Sequence, residues 1–155
     1  MKRILIVFLV LILFLTGCTT NDISKEKDTY LTYIKELRKI NKSTKDIPFN
    51  IEVRFDKITD SEIRYQVVID EVKENITDVE AIAIHDKQTD DVFPSIGIFD
   101  KKQKLEVNKK PSGIILVGYI DYQGKVEKFK CNLKLLIKYN TNDKKSHTVY
   151  YVTKK

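Results

Sequence analysis

The 155-residue chain has no Trp, two Cys, three Pro and five Gly. So few cysteines exclude a disulfide-stapled miniprotein, and so few glycines exclude a collagen-like repeat. Arginine is scarce as well: Arg3, Arg38, Arg54 and Arg64 stand against 24 Lys. The forked donor that clamps phosphates and reads guanine edges is therefore almost missing, and no nucleic-acid partner is expected. What is present suits one ordinary domain, with 42% hydrophobic and 32% charged residues, too apolar for a disordered polyelectrolyte. The net charge of +6 is unevenly placed. Residues 18–100 hold 12 Lys+Arg against 18 Asp+Glu, whereas residues 101–155 hold 14 against 4. The chain has an acidic first part and a basic last third.

Residues 1–18 read MKRILIVFLVLILFLTGC: Lys2 and Arg3, an unbroken apolar run from Ile4 to Leu15, then Thr16, Gly17 and Cys18. Charged, apolar and small segments in that order are the layout of a signal peptide. As a helix the run would reach ~18 Å at ~1.5 Å per residue, short of the ~30 Å hydrocarbon core, so a permanent span is not expected. Leu15-Thr16-Gly17-Cys18 resembles the lipobox of bacterial lipoproteins. The resemblance implies cleavage between Gly17 and Cys18, diacylglyceryl and palmitate-type acyl chains on Cys18, and no other cofactor. It also implies a place on the outer face of the cytoplasmic membrane. The Lys-, Ile- and Asn-rich composition is similar to that of AT-rich Gram-positive bacteria. With Cys18 given to lipid, Cys131 has no partner for an internal disulfide.

Residues 18–27 are polar without periodicity and read as a lipidated tether. Over 28–47, Tyr30, Leu31, Tyr33, Ile34, Leu37 and Ile40 recur at three- and four-residue steps, which predicts an amphipathic helix ending in a linker before Pro48. The period then changes to two, and residues 48–155 read as a β domain. Phe49 to Phe55 and Ile63 to Ile69 alternate as half-buried strands, with Val68 the exception. Val79 to Ile84 is apolar on both faces apart from Glu80, as in a central strand. Val92 to Phe99 contains Pro94 and belongs at an edge. After a short strand at Leu105 to Val107, the stretch Gly113 to Tyr122 is apolar on both parities and is expected to be buried on both faces. Glu127 to Tyr139 alternates again, with Phe129, Cys131, Leu133, Leu135, Ile137 and Tyr139 on the apolar side and Leu136 breaking the polar one. His147 to Thr153 closes the chain.

Strands of this number and spacing predict an antiparallel, all-β, immunoglobulin-like sandwich preceded by one helix. The likeness is architectural and carries no functional residues with it. The alternative is an α+β fold in which the helix is cradled by one curved antiparallel sheet, similar to cystatins.

Candidates for chemistry are sparse. His85 and His147 lack a nucleophile motif or a second metal-spaced histidine, and Asp86, Asp90 and Asp91 do not follow a calcium-loop spacing. Neither a catalytic group nor a metal is expected, and the chain reads as a non-enzyme. Two features suit contact instead. Lys128, Lys130, Lys134 and Lys138 fall on one parity of one expected strand, a stripe that could meet anionic lipid or wall polymer. Phe93, Tyr122, Tyr150 and Tyr151 are candidate interface anchors. The expected function is a membrane-anchored, extracytoplasmic protein-interaction module with an envelope or surface protein as partner. One specific form is an exclusion lipoprotein of a mobile element, which blocks redundant DNA transfer by contacting a conjugation component. The alternatives are a ligand-binding or enzymatic lipoprotein and a structural envelope tether.

Overall fold

The structure, a computed structural model, describes residues 20–87, 92–109 and 113–155. Helix α1 spans Thr20–Lys39. It is followed by β1 (Asn50–Thr59), β2 (Glu62–Asp70), β3 (Ile76–His85), β4 (Ser95–Ile96), β5 (Gln103–Leu105) and β6 (Gly113–Asp121). A one-turn 3-10 helix at Val126–Lys128 leads to β7 (Asn132–Thr141) and β8 (Ser146–Lys154). One sheet has the order β1-β2-β6; the other has β4-β3-β7-β8, with β5 also paired to β3. All these pairs are antiparallel. Consecutive strands β2 and β3, and again β6 and β7, lie in different sheets, which is the connectivity of an immunoglobulin-like sandwich. Two facing sheets replace the single curved sheet of the alternative expectation.

The strand periodicity builds the core. Ile63, Tyr65, Val67 and Ile69 of β2 and Ile114, Leu116 and Ile120 of β6 point inward from one sheet; Ala81 and Ala83 of β3 and Leu133, Leu135 and Ile137 of β7 meet them from the other. Cys131 is buried in the same core beside Phe129, on the side its parity predicted. The strand itself begins only at Asn132, because Val126–Lys128 turns as a 3-10 helix.

A second cluster explains the breaks in that pattern. Ile82 and Ile84 of β3 and Leu136 of β7 face away from the sandwich and are covered by Tyr33, Ile34 and Leu37 of α1, with Ile98 alongside. The apolar residues that spoiled the alternation of β3 and β7 are thus the seat of the helix. Burying each such aliphatic side chain is worth ~1.5–3 kcal/mol, more than the intrinsic helix propensity of the segment can supply. The helix starts at Thr20, so residues 20–27, expected as an unstructured tether, are its first two turns. Those turns lie against residues of the β4–β5 loop: Asp22, Lys25, Glu26 and Thr29 share a groove of about 360 Å³ with Gly97, Ile98, Asp100 and Lys102. Tyr30 packs on Phe99 with ring centroids 5.0 Å apart.

The strand edges are treated differently. On β8, Thr44 donates its N–H to the Tyr150 carbonyl at 2.8 Å, and the Thr44 and Ser43 hydroxyls accept from the N–H groups of Tyr150 and Val152, each at 2.9 Å. The linker after α1 therefore covers that edge. Pro94 lies just before β4, at the edge of its sheet, and its carbonyl accepts from Ala83. Edge strand β1 carries Glu52, Arg54, Asp56 and Lys57. Strand β6 differs from the expectation of burial on both faces, because it is also an edge strand and its outer face is open.

Candidate interaction surface

The four lysines of the expected stripe do not lie on one free strand face. Lys128 sits in the 3-10 turn, and Lys130, in the connection to β7, is exposed. Lys134 and Lys138 are on β7, on the face that receives the helix. The Lys134 ammonium donates to the Arg38 carbonyl at the end of α1 at 3.1 Å, where it complements the negative end of the helix dipole. The Lys138 ammonium lies 4.2 Å from the centroid of the Tyr33 ring. The sequence placed all four on one parity because it extended β7 backward across a turn.

The expected aromatic anchors are likewise engaged within the domain. The Phe93 ring packs edge-on against His85 at 5.4 Å and its carbonyl accepts from the Tyr30 hydroxyl at 3.2 Å. Tyr122 packs against Phe129 at 4.9 Å, and Tyr151 leans on the sandwich core. The Tyr150 hydroxyl donates to the Glu36 carboxylate on α1, which pushes its pKa up to about 12, with burial adding to the effect.

The surface that the structure leaves open is one the sequence reading assigned to the core. Along β6 the burial alternates strictly: Ile114, Leu116 and Ile120 are buried, whereas Ile115, Val117 and Tyr119 are 53%, 39% and 40% exposed. Val68, the exception in the pattern of β2, is the cross-strand neighbour of Ile115 and extends the same patch. Gln66 is paired to Val117 and Arg64 to Tyr119. Arg64 is held by Asp56 at 3.1 Å and Arg54 by Glu52 at 2.6 Å, so the guanidinium groups of this face are neutralised within it. The available signal was the coincidence of Val68 with the doubly apolar stretch; without the strand order it could not be told from a buried central strand.

Polar chemistry elsewhere is structural in character. The Glu80 carboxylate accepts from the Tyr33 hydroxyl at 2.6 Å and pairs with Lys102 at 2.9 Å, joining α1, β3 and the β4–β5 loop. These groups, with Lys138, Tyr139 and His147, line an open groove of about 370 Å³. Burial and the hydrogen bond to Glu80 push the Tyr33 phenol upward, so it stays protonated. Burial pushes the Cys131 thiol up to about 12, and the Asp86 charge adds to this; a thiol in that state is a poor nucleophile. Burial disfavours the Asp86 charge, but N–H donors from the Asn132 backbone and side chain outweigh it and hold Asp86 below the usual carboxylate range. His85 lies edge-on to Tyr65 and Phe93, and His147 stacks on Tyr139. Among the described residues no group of three or more His, Cys, Asp or Glu could hold a metal ion.

Gly17 and Cys18, and with them the expected lipobox, lie outside the described residues, as do Asp90 and Asp91. Among the described residues no helix is long and apolar enough to cross a membrane. Comparison with known proteins finds no family model that matches this chain and no curated protein that matches it.

Proposed function

We propose that the protein is a non-enzymatic interaction module held on the outer face of the cytoplasmic membrane by acyl chains on Cys18, with contact made through the outer face of β6. The observation that carries this reading is the exposed row Ile115, Val117 and Tyr119 on an edge strand. Exposed apolar side chains gathered in a contiguous row, unlike those scattered singly, are a mark of a contact surface. The lipobox at residues 15–18 supports the anchor. One acyl chain gives only reversible attachment at ~0.8 kcal/mol per buried CH₂, so the two or three chains of a lipoprotein make it stable.

The test has two arms in intact cells. Cys18→Ser is expected to abolish incorporation of labelled fatty acid and to release the protein or leave it uncleaved; label still entering the variant overturns the anchor. A photo-crosslinking residue at Tyr119 is expected to give a discrete adduct that the same residue at exposed Asp60 does not. Equal patterns at both positions overturn the contact surface.

A further inference from the structure

We propose that β6 pairs with β6 of a second copy of this chain, antiparallel and two-fold symmetric about Val117, joining the two three-stranded sheets into one six-stranded sheet. This assignment rests on the reading of β6 as the contact surface and names its partner; it does not depend on the lipid anchor.

The first ground is the state of the edges. An edge strand exposes a row of backbone donors and acceptors, and natural proteins blunt such rows with charge, proline, brevity or a covering segment. Here β8 is covered by Ser43 and Thr44, β1 bears four charged side chains, and β4 is two residues long and preceded by proline. Among the described residues strand β6 has none of these devices; Pro111, two residues before it in sequence, lies outside them. The strand runs nine residues from Gly113 to Asp121 with no proline among them and with Asp121 as its one charge, and among the described residues its one strand partner is β2.

The second ground is self-complementarity. In antiparallel pairing about Val117, each residue meets the one equally far on the other side: Val117 meets Val117, Ile115 meets Tyr119, and Gly113 meets Asp121. The exposed row becomes three consecutive apolar cross-strand pairs, of the β-branched and aromatic kind that stabilise sheets. Adding the β2 neighbours gives a symmetric central row, Gln66–Val117–Val117–Gln66, flanked by rows running Arg64–Tyr119–Ile115–Val68. Asp121 falls opposite Gly113, which has no side chain, so no carboxylate directly faces another across the new pair. Sliding the strands by two residues leaves two apolar pairs in place of three: either Val117 meets Tyr119 twice and Ile115 meets Asp121, or Ile115 meets Val117 twice and Tyr119 meets Gly113. On the inner parity Leu116 comes to lie beside Gly118, large against small.

Three half-exposed side chains and one strand edge bury well under the ~800 Å² per partner of a standard interface. The dimer is accordingly a reversible one, favoured by high local concentration as on a membrane.

Disulfide trapping in the full chain, in membranes and after detergent extraction, tests it. Facing residues of an antiparallel pair have Cβ atoms ~4.5–5.5 Å apart, so mild oxidation of Val117→Cys is expected to give a reducible species of twice the chain mass. Ile115→Cys and Tyr119→Cys are each expected not to crosslink alone but to crosslink with one another when mixed. The parent chain, with its buried Cys131, supplies the background. Val117→Lys, which sets two ammonium groups against each other, should lower association at least about tenfold in sedimentation equilibrium, with an unchanged circular dichroism spectrum. Equal crosslinking at positions 115, 117 and 119 overturns the register, and so does a monomer at every concentration with no crosslink. Capture of a different protein by Val117→Cys sinks the dimer and leaves the contact surface standing. A trapped dimer that carries no fatty acid sinks the anchor and leaves the dimer.

Discussion

Gly118 has no room for a side chain, because a Cβ built there would lie 2.3 Å from Cζ of the buried Tyr65 ring on the neighbouring strand. Gly118→Ala forces that ring out of the core and is expected to cost ~1–3 kcal/mol, the range of overpacking substitutions. Gly113→Ala, on the same strand with nothing nearer than 3.6 Å, should change stability by less than about 0.5 kcal/mol. Denaturant unfolding of both variants checks this, and equal midpoints for the two would contradict the packing. The sequence offered Gly118 only as a break in an apolar run, since its reason is a ring 53 residues away. Cys131 was legible by contrast, since strand parity alone puts it between Phe129 and Leu133. Its raised thiol pKa then follows from burial and from Asp86, which only the fold brings near.

At the scale of elements, α1 is held to the sandwich by an apolar seat and by two phenol–carboxylate hydrogen bonds, Tyr33 to Glu80 and Tyr150 to Glu36. Both phenols are raised above the ordinary value of 10. The stability they lend is whole below pH 10, where folded and unfolded chains alike are protonated. It declines once the unfolded chain begins to lose the proton, and the Tyr150 share is gone as pH rises through about 12. The stability difference between the parent and Tyr150→Phe should therefore be constant from pH 7 to 9.5 and shrink above 10. Urea midpoints across that range measure it, and a difference independent of pH up to 12 rules the linkage out. The helix itself was readable from its three- and four-residue spacing, but its extension to Thr20 was not. Residues 20–27 have no apolar stripe of their own, and the β4–β5 loop they lie against is some 75 residues further on.

For the whole molecule, the basic last third does not present one stripe. Lys134 and Lys138 serve the helix, whereas Lys128 and Lys130 lie away from it. If anionic lipid is met, the double change of Lys128 and Lys130 to Gln should weaken binding to anionic vesicles. At ~1 kcal/mol per lysine the expected loss is about ten- to thirtyfold at low salt, fading as salt rises. The same change at Lys134 and Lys138 should leave vesicle binding within about twofold and instead loosen the helix. Flotation assays at two ionic strengths separate the pairs; equal losses from both would restore the continuous stripe.

The sequence by itself determined a set of antiparallel strands, a preceding helix and the inward side of the strands that alternate cleanly, because alternation at period two and recurrence near period 3.6 are local properties of the chain. It also carries Leu15-Thr16-Gly17-Cys18, whose resemblance to a lipobox is read without any fold. Only the tertiary structure decided what the exceptions mean. Ile82, Ile84 and Leu136 became the seat of α1, while Val68, Ile115, Val117 and Tyr119 became an open face. An apolar residue on the polar parity is the same letter in both cases. Whether it is covered depends on which strand lies beside it and whether a helix crosses that face, and strand order is set by contacts between residues far apart in sequence.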